Sequence, residues 1–384
     1  MPNRLILSMI KTVTKFVSLF AICSVLYVMF FYFPLLSEAT VTGDCSNCHT
    51  MHNSQGGQPM NFNESSTPNK VLLRGDCIGC HGQNPSGTQN IMLLGNIPQV
   101  LFSASATPLA GGNFKYLETD DNRGHNVIDT GNSEDNTNMF PPPGDQHSSG
   151  ILQANFTCSG KYGCHGDRTI EEKLSAIKGA HHTVDSVLKF GGINEVNQGG
   201  SVGLSYRFLK GVKGGEDSDW QATTGPTNHN EYKGATSMGP SSLTNPANNS
   251  ISGLCAECHG YFHGTTSSET GSASPWLRHP TDIILPGDSI KEYRLYNGGT
   301  GTNNPYSLYA PVGRANIPND PSGFVNPGTN DAVVMCLSCH DAHASPYFKM
   351  VRWEYKGWPA TGADGCDPET GKHGCCNVCH TSKN

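Results

Sequence analysis

The pattern C-x-x-C-H occurs five times in this chain, at Cys45–Cys48–His49, Cys77–Cys80–His81, Cys255–Cys258–His259, Cys336–Cys339–His340 and Cys376–Cys379–His380. With 15 cysteines and 16 histidines in 384 residues, chance would supply about 0.02 copies. The spacing suits one chemistry. Two thiols add to the vinyl groups on one edge of a porphyrin, and the adjacent imidazole reaches its iron. A structural zinc site also uses C-x-x-C, but it needs paired motifs to close a tetrahedron and gives no role to a histidine after every second cysteine. Covalent haem attachment is therefore expected at all five. Each haem would bring a large flat apolar surface into a chain that is only 36% hydrophobic.

A less regular sixth site runs from Cys158 to Cys164 and His165, with spacing C-x5-C-H. Two glycines in the spacer let it bulge while both sulfurs stay at the porphyrin edge. A local Cys158–Cys164 disulfide with His165 incidental is the alternative. The C-H-G ending, shared with the motifs at His81 and His259, points to haem. Of the remaining cysteines, Cys23 reads as a small apolar residue of the N-terminal segment. Cys366 and Cys375 are expected to form a short-loop disulfide bracing the last site. A C-x3-C-H register using Cys375 is the other reading.

Six proximal histidines leave ten others, and each iron has one more axial position to fill. His52 and His343 follow a proximal histidine by three residues and His263 by four. On a helical turn they share its face and cannot easily wrap to the far side of the same porphyrin. A neighbouring haem is their expected target, which would draw the haems into a closely spaced row. His125, His279 and one of His181 and His182 complete the expected ligands. The His181/His182 pair is expected just past a short amphipathic helix, capped by Thr169-x-x-Glu172 and carrying Leu174 and Ile177. Position alone leaves open which of the two binds. His147, His229 and His373 lie among Gly, Pro and Asn and are expected to face solvent.

The expected fold is a multihaem cytochrome c: mostly loops with short α-helices, wrapped around a row of six covalently bound c-type haems, with little strand. The attachment sites are too unevenly spaced for a solenoid repeat. Polar stretches at 131–150, 221–250 and 296–330 read as loops over haems, and Glu216-Asp217-Ser218-Asp219 as a solvated turn rather than a cation site. Residues 1–39 read as a signal peptide: Arg4, Lys11 and Lys15 precede an apolar run, and Ser37 and Ala39 fit a small-x-small cleavage site. An uncleaved anchor is the alternative, with the body, residues 40–384, exported either way to the outer surface or periplasm. Beyond residue 39 the chain keeps 22 basic and 31 acidic side chains, net −9, which argues against a nucleic-acid partner.

The stretches CSNCHTMHNSQGG (45–57), RGHNV (123–127), LCAECH (254–259), WLRHP (276–280), CLSCHDAHAS (336–345) and CNVCH (376–380) resemble the filament-forming hexahaem outer-surface c-type cytochromes of metal-reducing bacteria, the outer-membrane cytochrome S type. The resemblance implies six bis-histidine haems and head-to-tail copies forming extracellular wires. Other multihaem cytochromes or extracellular electron acceptors would be the partners. It also implies that His52 ligates a haem of the adjacent subunit, the one on Cys336, Cys339 and His340. The C-x5-C-H site, the Cys366/Cys375 pair and the IKGAHH segment depart from that type. An electron conduit without enzyme activity is the expected function. The competing readings are a multihaem reductase with one open iron, a monomeric periplasmic carrier and a membrane-anchored quinol dehydrogenase.

Overall fold

A computed structural model of the chain describes residues 13–15, 43–51, 53–62, 64–68, 71–92, 97–105, 107–131, 156–182, 199–237, 246–260, 279–354, 366–367 and 372–381. The chain divides into two compact units, Met1–Glu38 and Ala39–Asn384. Of the first, only residues 13–15 are described, and they are helical. The expected export segment and its cleavage site otherwise lie outside the described residues. Among the described residues no helix is long and apolar enough to cross a membrane.

Regular structure in the second unit is scarce and local, as a chain with 45 glycines and 24 prolines would dictate. The α-helices are Cys77–His81, Lys173–Ala176 and Ile251–Cys255, joined by 3-10 turns. Among the described residues, six antiparallel two-stranded ladders have two residues per strand. Two helices are placed by polar caps beside attachment cysteines. Asp76 accepts from the Gly79 amide at 2.9 Å, so the first helix starts on Cys77. Ser250 accepts from the Gly253 amide at 2.9 Å, and that helix ends on Cys255. The expected capping box at Thr169 does not form. Asp167 takes the Thr169 hydroxyl at 2.6 Å, and Glu172 caps the helix itself by accepting from the amides of Leu174 and Ser175. The His181/His182 pair does follow that helix, in a 3-10 turn Ala180–His182.

The apolar interior is split into three clusters, and two of them reach attachment cysteines. Leu285, Tyr296, Tyr306, Val312, Val325, Val334 and Trp353 form one, with Cys339, Cys376 and Cys379 packed against it. Tyr206, Val212, Tyr232, Leu254, Met335 and Leu337 form the second, between the fourth and fifth sites. The third joins Phe114, Leu117, Val127 and Ala344, with Cys158 beside it.

Two polar stretches expected as loops over haems carry buried apolar side chains. Within 221–237 and 296–330, Tyr232, Ala235, Tyr296, Val312 and Val325 are buried. His229, expected in solvent, is 1% exposed: its ring stacks on Tyr306 at 4.0 Å, and Nε2 faces a Glu231 carboxylate oxygen at 3.3 Å. Arg314 explains this reversal. It is fully buried, pairs with Glu231 at 2.9 Å and donates to the carbonyls of Ser322 and Phe324, so the loops fold around a satisfied charge. Glu216 and Asp217 are likewise buried, not solvated. Glu216 takes the Arg207 amide and guanidinium, and Asp217 folds its carboxylate back onto the Asp219 and Gln221 amides. His147 lies outside the described residues, and His373 is placed only by its backbone, in the strand Lys372–His373.

Candidate functional site

Five of the six proximal imidazoles, all but His259, are oriented through a contact at Nδ1. In the first, second, third and fifth sites Nδ1 faces a backbone carbonyl: His49 to Leu72 (2.8 Å), His81 to Pro98 (2.7 Å), His165 to Arg207 (2.9 Å) and His340 to Lys349 (3.0 Å). A carbonyl can only accept, so Nδ1 carries the proton and Nε2 is left with its lone pair for a metal. His125 and His279 are held in the same way, by the carbonyls of Ala342 (2.8 Å) and Pro280 (3.0 Å). His380 differs, since its Nδ1 meets the carboxylate Oε1 of Glu292 at 2.9 Å.

The chain positions those carbonyls by doubling back on the motif. At the first and fifth sites a return strand bridges His49 to Leu73 and His340 to Val351. The Arg74 and Arg352 amides then donate to the carbonyls of Cys48 (2.8 Å) and Cys339 (2.9 Å). Arg207 and Lys349, which supply carbonyls at the third and fifth sites, sit at φ of 51° and 60°. Such a conformation costs a non-glycine residue about 1–2 kcal/mol.

Most of the histidines named from the sequence come together in pairs. Ring centroids are 5.9 Å apart for His49 and His182, 6.3 Å for His81 and His181, and 6.3 Å for His165 and His343. They are 6.2 Å apart for His259 and His125, and 6.2 Å for His380 and His279. Two imidazoles on opposite sides of one metal, each at a bond of about 2.0 Å, have ring centres about 6.3 Å apart. The donor set therefore fits a six-coordinate haem iron at these five sites. His181 and His182 face different proximal histidines, so the choice left open by position is not a choice between them. Burial also favours the neutral form, the one that ligates a metal, at His81, His125, His165, His181, His279 and His343. Desolvation, followed by the neighbouring His259, lowers His125 to about 4, and desolvation with His165 nearby lowers His343 to about 3.

His340 has no such partner among the described residues. Two of its sequence-named candidates, His52 and His263, lie outside them.

Gly112 is what lets His343 reach His165. It sits at φ 88°, and a Cβ there would lie 2.1 Å from the Ala344 carbonyl oxygen. The His343 ring stacks on Phe114 at 4.7 Å, and its amide donates to the Gly111 carbonyl at 2.7 Å. Gly112→Ala should push the two segments apart and detach His343 from the third site. A high-spin signal from one haem in the magnetic circular dichroism of the oxidised protein is the expected result, and an unchanged spectrum would refute it.

The twelve motif cysteines are outside disulfides, and Cys375 is in one. The Cys366–Asp367 strand pairs with Lys372–His373, two residues before Cys375. Thiols of successive sites act on each other in chain order. Burial, then Cys48 of the first site, pushes Cys80 of the second up to about 12. A shared hydrogen bond with Cys77 of the second site raises Cys158 of the third. Cys255 of the fourth site is raised by its bond to Cys336 of the fifth, by burial and by Cys164 of the third. Burial, then Cys376 of the sixth, pushes Cys339 of the fifth up to about 12. Cys77, Cys158 and Asp129 bring their ligand atoms within 4.8 Å of one another. Asp129 is already engaged by Lys173 and the Cys158 amide, so this trio is the seam between the second and third sites.

A buried ion pair ties the third site to the fourth. Arg168, three residues past His165, donates from Nε and Nη2 to both carboxylate oxygens of Glu257, at 2.6 and 2.8 Å. Glu257 lies between Cys255 and Cys258, and the two side chains are 3% and 2% exposed. Arg168 also donates to the carbonyls of Cys164 and Lys210. Neither Glu257 nor Glu292 was singled out from the sequence, because each meets its partner across more than 80 residues.

Six cysteine–histidine motifs follow one another along the chain, and five of their histidines have a second imidazole at iron-spanning distance, an arrangement suited to a multihaem c-type cytochrome. The chain is similar to the C-type cytochrome OmcS of Geobacter sulfurreducens, with 26% identity over 382 residues covering 85% of this chain and 84% of OmcS. The resemblance read from the motif contexts thus extends over most of the sequence. No family model matches. Solved structures similar to the chain are the outer membrane cytochrome S filament from Geobacter sulfurreducens (TM-score 0.48, 18% identity) and the OmcS nanowires of the same organism (TM-score 0.47, 19% identity). Each aligns with 90% of this chain and 100% of its own.

Proposed function

We propose that this protein is exported and carries electrons through six c-type haems, as a subunit of an extracellular filament of head-to-tail copies. The observation that carries the reading is the set of histidine pairs at 5.9–6.3 Å. A bound haem supplies one-electron redox chemistry. The residues do the rest. Cys45 and Cys48, Cys77 and Cys80, Cys158 and Cys164, Cys255 and Cys258, Cys336 and Cys339, and Cys376 and Cys379 fix one porphyrin edge each. His49, His81, His165, His259, His340 and His380 would each offer one imidazole to the iron. His182, His181, His343, His125 and His279 would offer a second at every site but the fifth, and so would keep substrates off the metal. The contacts between successive cysteine pairs run the six sites as one row. The filament part of the reading is supported by the similarity to OmcS.

A second reading is a multihaem reductase, which would need one open iron. Intact mass of the exported protein should equal the chain from Thr40 plus six haems, and added carbon monoxide should leave the reduced spectrum unchanged. A five-haem mass would return Cys158 and Cys164 to a disulfide. Stoichiometric carbon monoxide binding at one haem would favour the reductase.

A further inference from the structure

We infer that Glu292 sets the sixth haem apart, lowering its reduction potential below the value it would have with a neutral hydrogen-bond acceptor. The inference rests on the proposed haem at Cys376, Cys379 and His380. Five other histidines of the paired set turn Nδ1 to a backbone carbonyl: that of Leu72, Pro98, Arg207 or Ala342, with Pro280 serving the opposite ring of this same site. His340 is also served by a carbonyl, that of Lys349. His380 instead donates to a carboxylate, at 2.9 Å. The two side chains are 19% and 10% exposed, so water screens the contact little.

The placement is built, not incidental. Glu292 opens the 3-10 segment Glu292–Gly298, and its own carbonyl accepts the Thr381 hydroxyl at 2.8 Å. That second bond joins the same residue to the position after His380. The Tyr293 ring meets the His380 ring edge-on at 5.2 Å and closes the side of the imidazole.

The physical consequence has a definite sign. A carboxylate drawing on the Nδ1 proton gives the ring imidazolate character and makes Nε2 a stronger donor. A stronger anionic donor stabilises the ferric iron more than the ferrous iron, so adding one electron becomes less favourable. An electron is then held less firmly at the last site of the row than it would be beside a neutral acceptor. In a head-to-tail filament that site is the one that hands it to the next copy.

The test is Glu292→Gln in the holoprotein, which keeps an acceptor oxygen and a near-equal shape but removes the charge. Mass spectrometry of the wild-type peptide holding Cys376 and Cys379 first establishes the haem there. A peptide without haem would sink the haem reading of this site independently of Glu292. With the haem present, the reduced-to-oxidised ratio of one haem at fixed potential should rise about tenfold in the variant, equal to about 59 mV for one electron. The other five should stay in place, as followed by spectroelectrochemistry with haem-resolved NMR. Thr381→Val is the control, because it loosens the same segment and leaves the carboxylate. It should lower stability without moving the potential. No shift in Glu292→Gln, loss of the sixth haem from that variant, or an equal shift in Thr381→Val would each overturn the inference.

Discussion

Replacing Arg168 with Met should destabilise the holoprotein by about 3–5 kcal/mol, because it strands the buried Glu257 carboxylate without its partner. Glu257 cannot turn to water. Its side chain is 2% exposed, and it is fixed between the two attachment cysteines of the fourth site. The same change removes donors from the carbonyls of Cys164 and Lys210. Covalent attachment at the third and fourth sites remains, so the haem count should stay the same while the urea midpoint falls. A double variant, Arg168→Met with Glu257→Leu, should recover much of the loss, since a buried ion pair exchanged for apolar groups of similar size is often close to neutral. The pair also ties the third motif to the fourth, so under the proposed function electron transfer across that junction should slow in the single variant. A single variant within about 0.5 kcal/mol of wild type would show that the charge pair does not clamp the two sites.

How much of this was legible beforehand follows from which interactions are local in sequence. The attachment cysteines and proximal histidines sit within five or eight residues, so their chemistry is read off the spacing. The distal positions of His343, His125 and His279 were named from their surroundings, yet their partners could not be. His125 meets His259 and His343 meets His165 across long stretches of chain. His229 was misjudged because its neighbours are Asn and Thr, and the Glu231–Arg314 pair that draws it inside spans 83 residues. The helix before His181 was foreseen but its cap was not, since Asp167 competes for Thr169. The same satisfaction of charge explains the buried side chains within the Gly-rich loops. In a chain whose core is meant to be completed by cofactors, a polar loop can be interior wherever a buried Arg or Asn satisfies its backbone.

Substituting Ala for His52 should leave six haems attached and abolish filaments, with one haem, that of Cys336, Cys339 and His340, losing its strong-field ligand. Five proximal histidines have their opposite ring within the described residues, and His340 does not. Its Nδ1 faces the Lys349 carbonyl, so Nε2 remains for iron, and burial lowers its proton affinity. Of the ligands named from the sequence, only His52 and His263 are unassigned. His263 lies four residues past His259, and His52 three past His49. If His52 crosses to a neighbouring copy, the contact is heterologous: one end of the chain supplies a ligand and another region receives it. Such a contact has no symmetry that closes it, so it propagates into an open fibre. If His263 fills the position instead, ligation is intramolecular and the chain can stand alone. The two variants separate these cases. Electron microscopy of His52→Ala should show single subunits, and its oxidised spectrum should show one high-spin haem, whereas His263→Ala should keep both filaments and spectrum. Filaments persisting in His52→Ala, together with a high-spin haem in His263→Ala, would reverse the assignment and leave a monomeric carrier.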